Sequence, residues 1–330
     1  MKTMYVPITE ELLVKRLRQD FESAGINLDA DTDLYIAREV QYVMKKTYDV
    51  QYPDWSARKL FPVNNEVDPG AQDYIWYSFD KRGIAKIVSN YSTDFPRVSL
   101  NKKTNRGLIK TLGDSYGYSI KDMMTAKMAG LPLDARLAKA AKEGVLQKEN
   151  QIAFNGDSDN SLPGFLTNPN ISNVTLTADG TGASTLFVNK TALQILRDIL
   201  SLKQTITRLT KGIEKPNTLL LPPEKFDALE QPSSAYVLQT ILNFMAENWK
   251  SWLKEIISVP ELSGAGIITP GLDIMVMYDK NPDKLGLITP LDFMQLPPQM
   301  ENAEWNINCM SMTGGVPIYY PLSVATAEGI

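Results

Sequence analysis

One run constrains the fold more than any other: LPLDARLAKAAKEGVLQKENQIAFNG, residues 131–156. It opens with Pro132 and a cap residue, Asp134, is dense in alanine, lysine and glutamate, and closes at Gly156. That pattern predicts a long, mostly exposed helix between these two signals. Gly144 inside it costs about 1 kcal/mol relative to alanine, which such a run can absorb.

A second helix is predicted over Thr191 to Lys211, where Ile195, Ile199, Leu202, Ile206 and Leu209 recur at steps of four and three and form one apolar stripe. Between and after the helices the chain reads as strand. NTLLLPPEKFDALEQ predicts a buried strand and a short helix, and GLDIMVMYDK a strand ending in a turn. From Leu291 onward FMQLPPQ, AEWNINCMSMTGGVPIYYP and LSVATA are strand-rich and broken by Gly314, Gly315 and Pro317. The fold class is therefore α+β, and 330 residues are enough for roughly two compact domains.

Ahead of the long helix, the first 50 residues predict two helices separated by Gly25, with Leu13, Leu17 and Phe21 on one and Ile36, Val40 and Val43 on the other. QYPDWSARKLFPVNNEVDPG follows as a proline-punctuated arm lying on other surfaces. DYIWYSF, from Asp73, is rich in β-formers, and the chain returns through VSLNKKTNRGLIKTLGDSYGYSI in a long antiparallel excursion. Its outer part, Val88 to Gly107, carries Arg97, Lys102, Lys103 and Arg106 and few large apolar residues, as a projecting basic loop would. The run Tyr74, Ile75, Trp76, Tyr77 and Phe79 is hydrophobic on both faces of a strand, so a partner is expected to bury one of them.

Composition removes several functions. The chain has no histidine, the commonest metal ligand and the side chain that titrates nearest neutrality, which excludes most hydrolase and metalloenzyme mechanisms. Cys309 is the one cysteine, so neither an intrachain disulfide nor a thiolate metal site can form, and it is expected to be a small buried side chain. With 43% apolar and 22% charged residues the chain is expected to fold by itself, and a net charge of −4 argues against tight phosphate binding. No run approaches the ~18 apolar residues of a membrane span, and the N-terminal residues have no apolar signal core, so an intracellular, unprocessed start is expected.

Motifs with catalytic spelling read better as structure. Gly113-Asp114-Ser115-Tyr116-Gly117 matches the G-x-S-x-G nucleophile elbow, but without histidine no triad can activate Ser115, and a turn is expected instead. Ser251-Trp252-Leu253-Lys254 matches S-x-x-K without its companion motifs, and reads as an amphipathic helix anchored by Trp252. Asp157-Ser158-Asp159-Asn160 lacks the glycine of a calcium loop, Leu162 standing there, and reads as a helix-ending turn. Gly180-Thr181-Gly182 and Gly264-Ala265-Gly266 are too short for a nucleotide fingerprint. No catalytic, cofactor-binding or metal-binding residue is assigned.

The order of these parts resembles the major capsid proteins of tailed bacteriophages with the Hong Kong 97-like fold. The likeness is centred on Tyr118 and Asp122, the long helix, Ile152-Ala153-Phe154-Asn155-Gly156-Asp157 with Gly164-Phe165-Leu166, and the closing Gly314-Gly315-Val316 and Tyr320-Pro321. The resemblance implies an N-terminal arm (1–65), an extended β-hairpin loop (66–118), a peripheral domain (119–189) with a spine helix (134–154), an axial domain (190–290) and a return to the peripheral domain (291–330). It further implies self-assembly into hexamers and pentamers of an icosahedral shell in the virion. That shell would enclose double-stranded DNA without sequence-specific binding, be assembled in the host cytoplasm, and have portal, scaffold and decoration proteins as further partners. Subunit-interface candidates are Trp76, Tyr77, Arg97, Lys102, Lys103 and Arg106. Two alternatives stand beside this: an encapsulin-like nanocompartment shell, and a histidine-free serine hydrolase using Ser115 or Ser251.

Overall fold

The computed structural model describes residues 55–82, 99–129, 133–234, 237–302 and 304–330. The two helices expected before residue 50 lie outside these, as does Arg97. In chain order the elements are α1 (Ala57–Leu60), β1 (Val63–Asn64), β2 (Asp73–Arg82), β3 (Ser99–Leu108), β4 (Lys110–Ser119), α2 (Ile120–Ala129) and α3 (Leu133–Asn155). Then come β5 (Ser172–Asn173), α4 (Ala192–Leu209), β6 (Thr218–Leu221), α5 (Pro223–Leu229), β7 (Pro232–Ser234), β8 (Val237–Thr240) and α6 (Ile241–Asn248). The chain ends through β9 (Glu255–Ser258), β10 (Ile274–Tyr278), β11 (Leu287–Ile288), β12 (Leu291–Gln295), β13 (Gln299–Glu301), β14 (Glu304–Thr313) and β15 (Val324–Glu328).

Two sheets organise the molecule. The first has strand order β5-β15-β10-β6-β9, with β10 antiparallel to both β15 and β6. It is buried on both faces, which is why TLLL and IMVMY are continuous apolar runs rather than alternating ones. Met275, Met277, Leu219 and Leu221 face a core built with Ile195, Ile199, Leu202 and Ile206 of α4 and Met245 of α6. Ile274, Val276, Tyr278 and Leu220 face a second core with Leu60, Phe61, Phe154 and Phe165. The predicted stripe of α4 thus finds its partner, and Gln194 accepts a hydrogen bond from the Thr191 backbone N–H at the helix start.

In the second sheet β14 is central, pairing with β12 and β13 on one side and β4 on the other. The β4–β14 ladder runs ten residue pairs, from Lys110↔Thr313 to Ser119↔Glu304. Helix α3 packs on it through Ala141, against Ile307 and Cys309. Gly144 lets it approach closely: a methyl group there would lie 3.2 Å from an Asp114 carboxylate oxygen. The helix is mostly exposed over its first half, as its composition predicts, but Ile152, Ala153 and Phe154 at its end are fully buried, Ala153 and Phe154 in the core beneath the first sheet.

Several local expectations are corrected. The Gly113–Gly117 segment is neither elbow nor turn but the middle of β4, held extended by β14. Ser251-Trp252-Leu253-Lys254 is the turn after α6 rather than a helix; Trp252 does anchor it, packing on Trp249 and under the Lys203 ammonium. Residues 57–64 are no surface arm, since Ala57, Leu60 and Phe61 are core and β1 pairs with β11. Arg58 there pairs with the buried Glu149 of α3. Residues 291–330 do not return as one piece: β12 to β14 join the second sheet, while β15 pairs with β10 in the first. Ala325 and Ala327 are small enough to let β15 lie flat against α4.

Candidate assembly surface

Strands β2 and β3 form a two-stranded hairpin in register from Asp73↔Leu108 to Arg82↔Ser99. Because residues directly opposite in an antiparallel pair share a face, the register divides its side chains into two sets. Tyr74, Trp76 and Ser78 lie with Gly107, Asn105 and Lys103; Ile75, Tyr77 and Phe79 lie with Arg106, Thr104 and Lys102.

The first face is covered at its base by the same chain. Tyr74 lies across Gly107, where any Cβ would come within 2.2 Å of the ring, so only glycine fits opposite it. Its hydroxyl donates to the Gly314 carbonyl at 3.1 Å. Trp76 stacks on Tyr74 at 5.6 Å and meets Tyr319 edge-on at 5.5 Å. Burial raises the pKa of both the Tyr74 and the Tyr319 phenols, which stay neutral over any ordinary pH. The TGGVPIYY segment is thereby the seat of the hairpin.

The second face is bare. Ile75, Tyr77 and Phe79 are each about half exposed, at 52%, 51% and 53%, and Leu100 continues the row at 58%. The Lys102 ammonium sits 3.4 Å from the centre of the Tyr77 ring, a cation–π contact, and Arg106 pairs with Asp73. Among the sequence candidates, then, Tyr77, Lys102 and Arg106 come together on this apolar, cationic face. Trp76 and Lys103 lie on the other, and Lys102, Lys103 and Arg106 stand on a strand rather than in a loop.

A groove of about 470 Å³ lies at the far end of β4, lined by Tyr118, Ser119, Asp122, Glu301, Glu304 and Trp305. Asp122 accepts from both the hydroxyl and the backbone N–H of Ser119, which lowers its pKa and keeps it anionic. Beside it, α2 exposes Met123, Met124 and Met128. Neither the groove nor the methionines are signalled by periodicity, because β13 and β4 meet there only through pairing with β14.

The catalytic spellings bring no reactive group together. Ser115 lies opposite Asn308 in mid-ladder, and Cys309 is buried with its thiol pKa raised by that burial. Asp157 closes the turn after α3, accepting from the Asp159 and Asn160 backbone N–H groups, so the expected turn stands. Among the described residues no group of three or more Cys, Asp or Glu could hold a metal ion, and no helix is long and apolar enough to cross a membrane.

Comparison with known proteins places this architecture. A family described as major capsid protein matches residues 83–330. No curated protein matches the chain. The capsid of Myoviridae phage XM1 superposes with a TM-score of 0.77 at 13% identity, over 93% of this chain and 100% of that one. A chain of Mycobacterium phage Ogopogo gives 0.61 at 12%, over 92% and 99%. The virus-like particle from Pyrococcus furiosus gives 0.54 at 14%, over 82% and 91%. At these identities the likeness is one of fold, and that fold is the Hong Kong 97-like capsid fold.

Proposed function

The chain belongs to the family of major capsid proteins, and from that membership we propose that it assembles with copies of itself into hexamers and pentamers of an icosahedral shell enclosing double-stranded DNA. Its role is structural. Assembly takes place in the host cytoplasm, with portal, scaffold and decoration proteins as further partners. Within the shell subunit, residues 66–118 form the extended loop, 119–189 the peripheral domain and 190–290 the axial domain.

The observation that carries the reading is the bare face of the hairpin. A two-stranded hairpin is marginal in water without a covering layer, yet this one shows Ile75, Tyr77, Phe79 and Leu100 to solvent. A neighbouring copy that covers this face supplies the missing layer. The Lys102 charge suits an acidic counter-surface such as the groove of Asp122, Glu301 and Glu304, and a contact between unlike patches of identical copies forms rings where its rotation closes.

The test is light scattering on the purified full chain, with negative-stain images, alone and with a candidate scaffold. Rings of five or six, or closed particles holding nuclease-resistant DNA, are expected. Particles filled with protein cargo instead would favour a nanocompartment shell, and a chain that stays monomeric under every condition overturns the reading. The triple variant Ile75→Ser, Tyr77→Ser, Phe79→Ser should keep the far-ultraviolet spectrum of the subunit and lose particles by about tenfold or more.

A further inference from the structure

Helix α2 is held in place without being covered. Among its described side chains none is buried: Lys121, Asp122, Met123, Met124 and Thr125 are all exposed, and Met128 stands at 92%. Met124 and Met128, four residues apart, share one face, and Met123 lies beside them. A helix of ten residues is marginal in water, since isolated helices below about 12–15 residues hardly form. What fixes α2 is its start. The Ser119 hydroxyl accepts from the Asp122 backbone N–H at 3.1 Å, and the Asp122 carboxylate accepts from the Ser119 N–H at 3.2 Å, a capping box set on the last residue of β4.

The edge at the foot of the helix carries unbalanced charge. Glu301 of β13 stands directly opposite Glu304 of β14, and Glu304 in turn opposite Ser119, the residue that holds Asp122. Like charges directly opposite on a sheet repel. Both glutamates are exposed, and among the described residues neither has a cationic partner. Lys121, exposed on the same helix, sets one ammonium against three carboxylates, so the edge stays negative.

Apolar and anionic surface thus adjoin. Methionine is flexible and polarisable and moulds to apolar side chains of varied shape. An amphipathic helix docks by laying its apolar side on such a surface, with its charges at the rim. We propose that α2 and the groove of Asp122, Glu301 and Glu304 form a docking surface for a basic amphipathic helical segment of a second protein. Its apolar side lies on Met123, Met124 and Met128, and its lysines or arginines meet the carboxylates. Those cations relieve the repulsion between Glu301 and Glu304, and the apolar side supplies the layer that α2 lacks. The proposal holds whether or not the chain forms shells. Lys102 of a neighbouring copy would compete for the same carboxylates, so the segment meets the unassembled chain.

The experiment uses the full chain, dilute and unassembled, with a fluorescein-labelled peptide of leucine and lysine about 18 residues long, its leucines on one helical face. Binding is read by fluorescence anisotropy, and the docked face by methionine oxidation with hydrogen peroxide followed by mass spectrometry. The peptide should bind and slow oxidation of Met123, Met124 and Met128 severalfold, while Met294, exposed on β12, keeps its rate. Met124→Ser with Met128→Ser, and separately Glu301→Gln with Glu304→Gln, should each weaken binding by about tenfold or more without lowering the melting temperature. No binding, or equal binding by the natural chain and both double variants, refutes the site. A peptide with glutamate in place of lysine that binds as tightly refutes the basic partner, and one with its leucines scattered that binds as tightly refutes the amphipathic one. Methionines shielded from peroxide in the dilute free chain show that the chain covers α2 itself. Shielding that grows with chain concentration alone shows that a second copy covers it, and either result refutes the proposal.

Discussion

The five-stranded sheet and the β2–β3 hairpin are built from similar residue types and differ in what covers them. Every residue of β10 is buried, with methionines against one core and Ile274, Val276 and Tyr278 against the other. The hairpin is covered over one face only, where Tyr74 and Trp76 lie on Gly314 and Tyr319. Burial of a large apolar side chain is worth roughly 1.5–3 kcal/mol, so each β10 residue contributes to the stability of the isolated subunit. The bare row of Ile75, Tyr77, Phe79 and Leu100 withholds most of that contribution until something docks on it. One region stabilises the subunit, and the other leaves its apolar side chains exposed.

The largest expected effect tests this division directly. Tyr278 is fully buried, touches the rings of Phe61 and Phe165, and donates its hydroxyl to the Leu60 carbonyl at 2.9 Å. Tyr278→Ala should destabilise the subunit by about 3–5 kcal/mol, read as a shift of the urea midpoint. Tyr77→Ala should change the same midpoint of the unassembled chain by less than about 0.5 kcal/mol. Comparable losses from the two tyrosines would break the comparison, because the hairpin would then be part of the subunit's own core.

Glu328 marks where the self-sufficient region gives way to exposed surface. Burial opposes its ionisation, but the backbone N–H groups of Ile268, Thr269 and Ile267 and the Asn173 amide outweigh that and lower its pKa. A carboxyl whose folded pKa is depressed adds stability above its unfolded pKa and loses it as pH falls through the folded value. The difference in stability between the natural chain and Glu328→Gln, about 1–2 kcal/mol, should therefore be constant near neutrality. It should shrink as pH falls below the ordinary carboxylate range, measured by thermal unfolding of both chains side by side. A difference independent of pH would mean that the loop is held by packing alone.

What the sequence shows and what it hides follow from the range of the interactions. Helices α3 and α4 were legible because caps, composition and a 3.6-residue stripe are local, and β6 and β10 because burial on both faces leaves unbroken apolar runs. The β4 segment Gly113–Gly117 reads as a turn from its own residues. It is straight because Asn306 to Met310 of β14, nearly 200 positions later in the chain, pair with it. The same distance hides which face of β2 is free: alternation places Trp76 and Tyr77 on opposite sides, but only Gly314 and Tyr319 decide that Trp76 is the one covered. Glu328 had no local signal at all, since its partners are backbone N–H groups of a loop about 60 residues earlier.

The smallest expected effect sharpens the comparison from the hairpin's side. Lys102 holds its ammonium 3.4 Å from the Tyr77 ring centre, and an exposed cation–π contact of this kind is worth about 0.5–1 kcal/mol. In the free subunit that contact orders Tyr77 and does little else, so Lys102→Gln should move the melting temperature only slightly. If a second copy covers this face, the charge is brought to that copy's surface along with the ring. If that surface is acidic, salt should weaken assembly, since ions at about 0.1 M already screen charges beyond ~10 Å. Lys102→Gln should then flatten the dependence of particle yield on salt while leaving the subunit's unfolding curve in place. An unchanged salt dependence would mean that the apolar row docks without help from its cations, and that burial of Ile75, Tyr77 and Phe79 supplies the contact by itself.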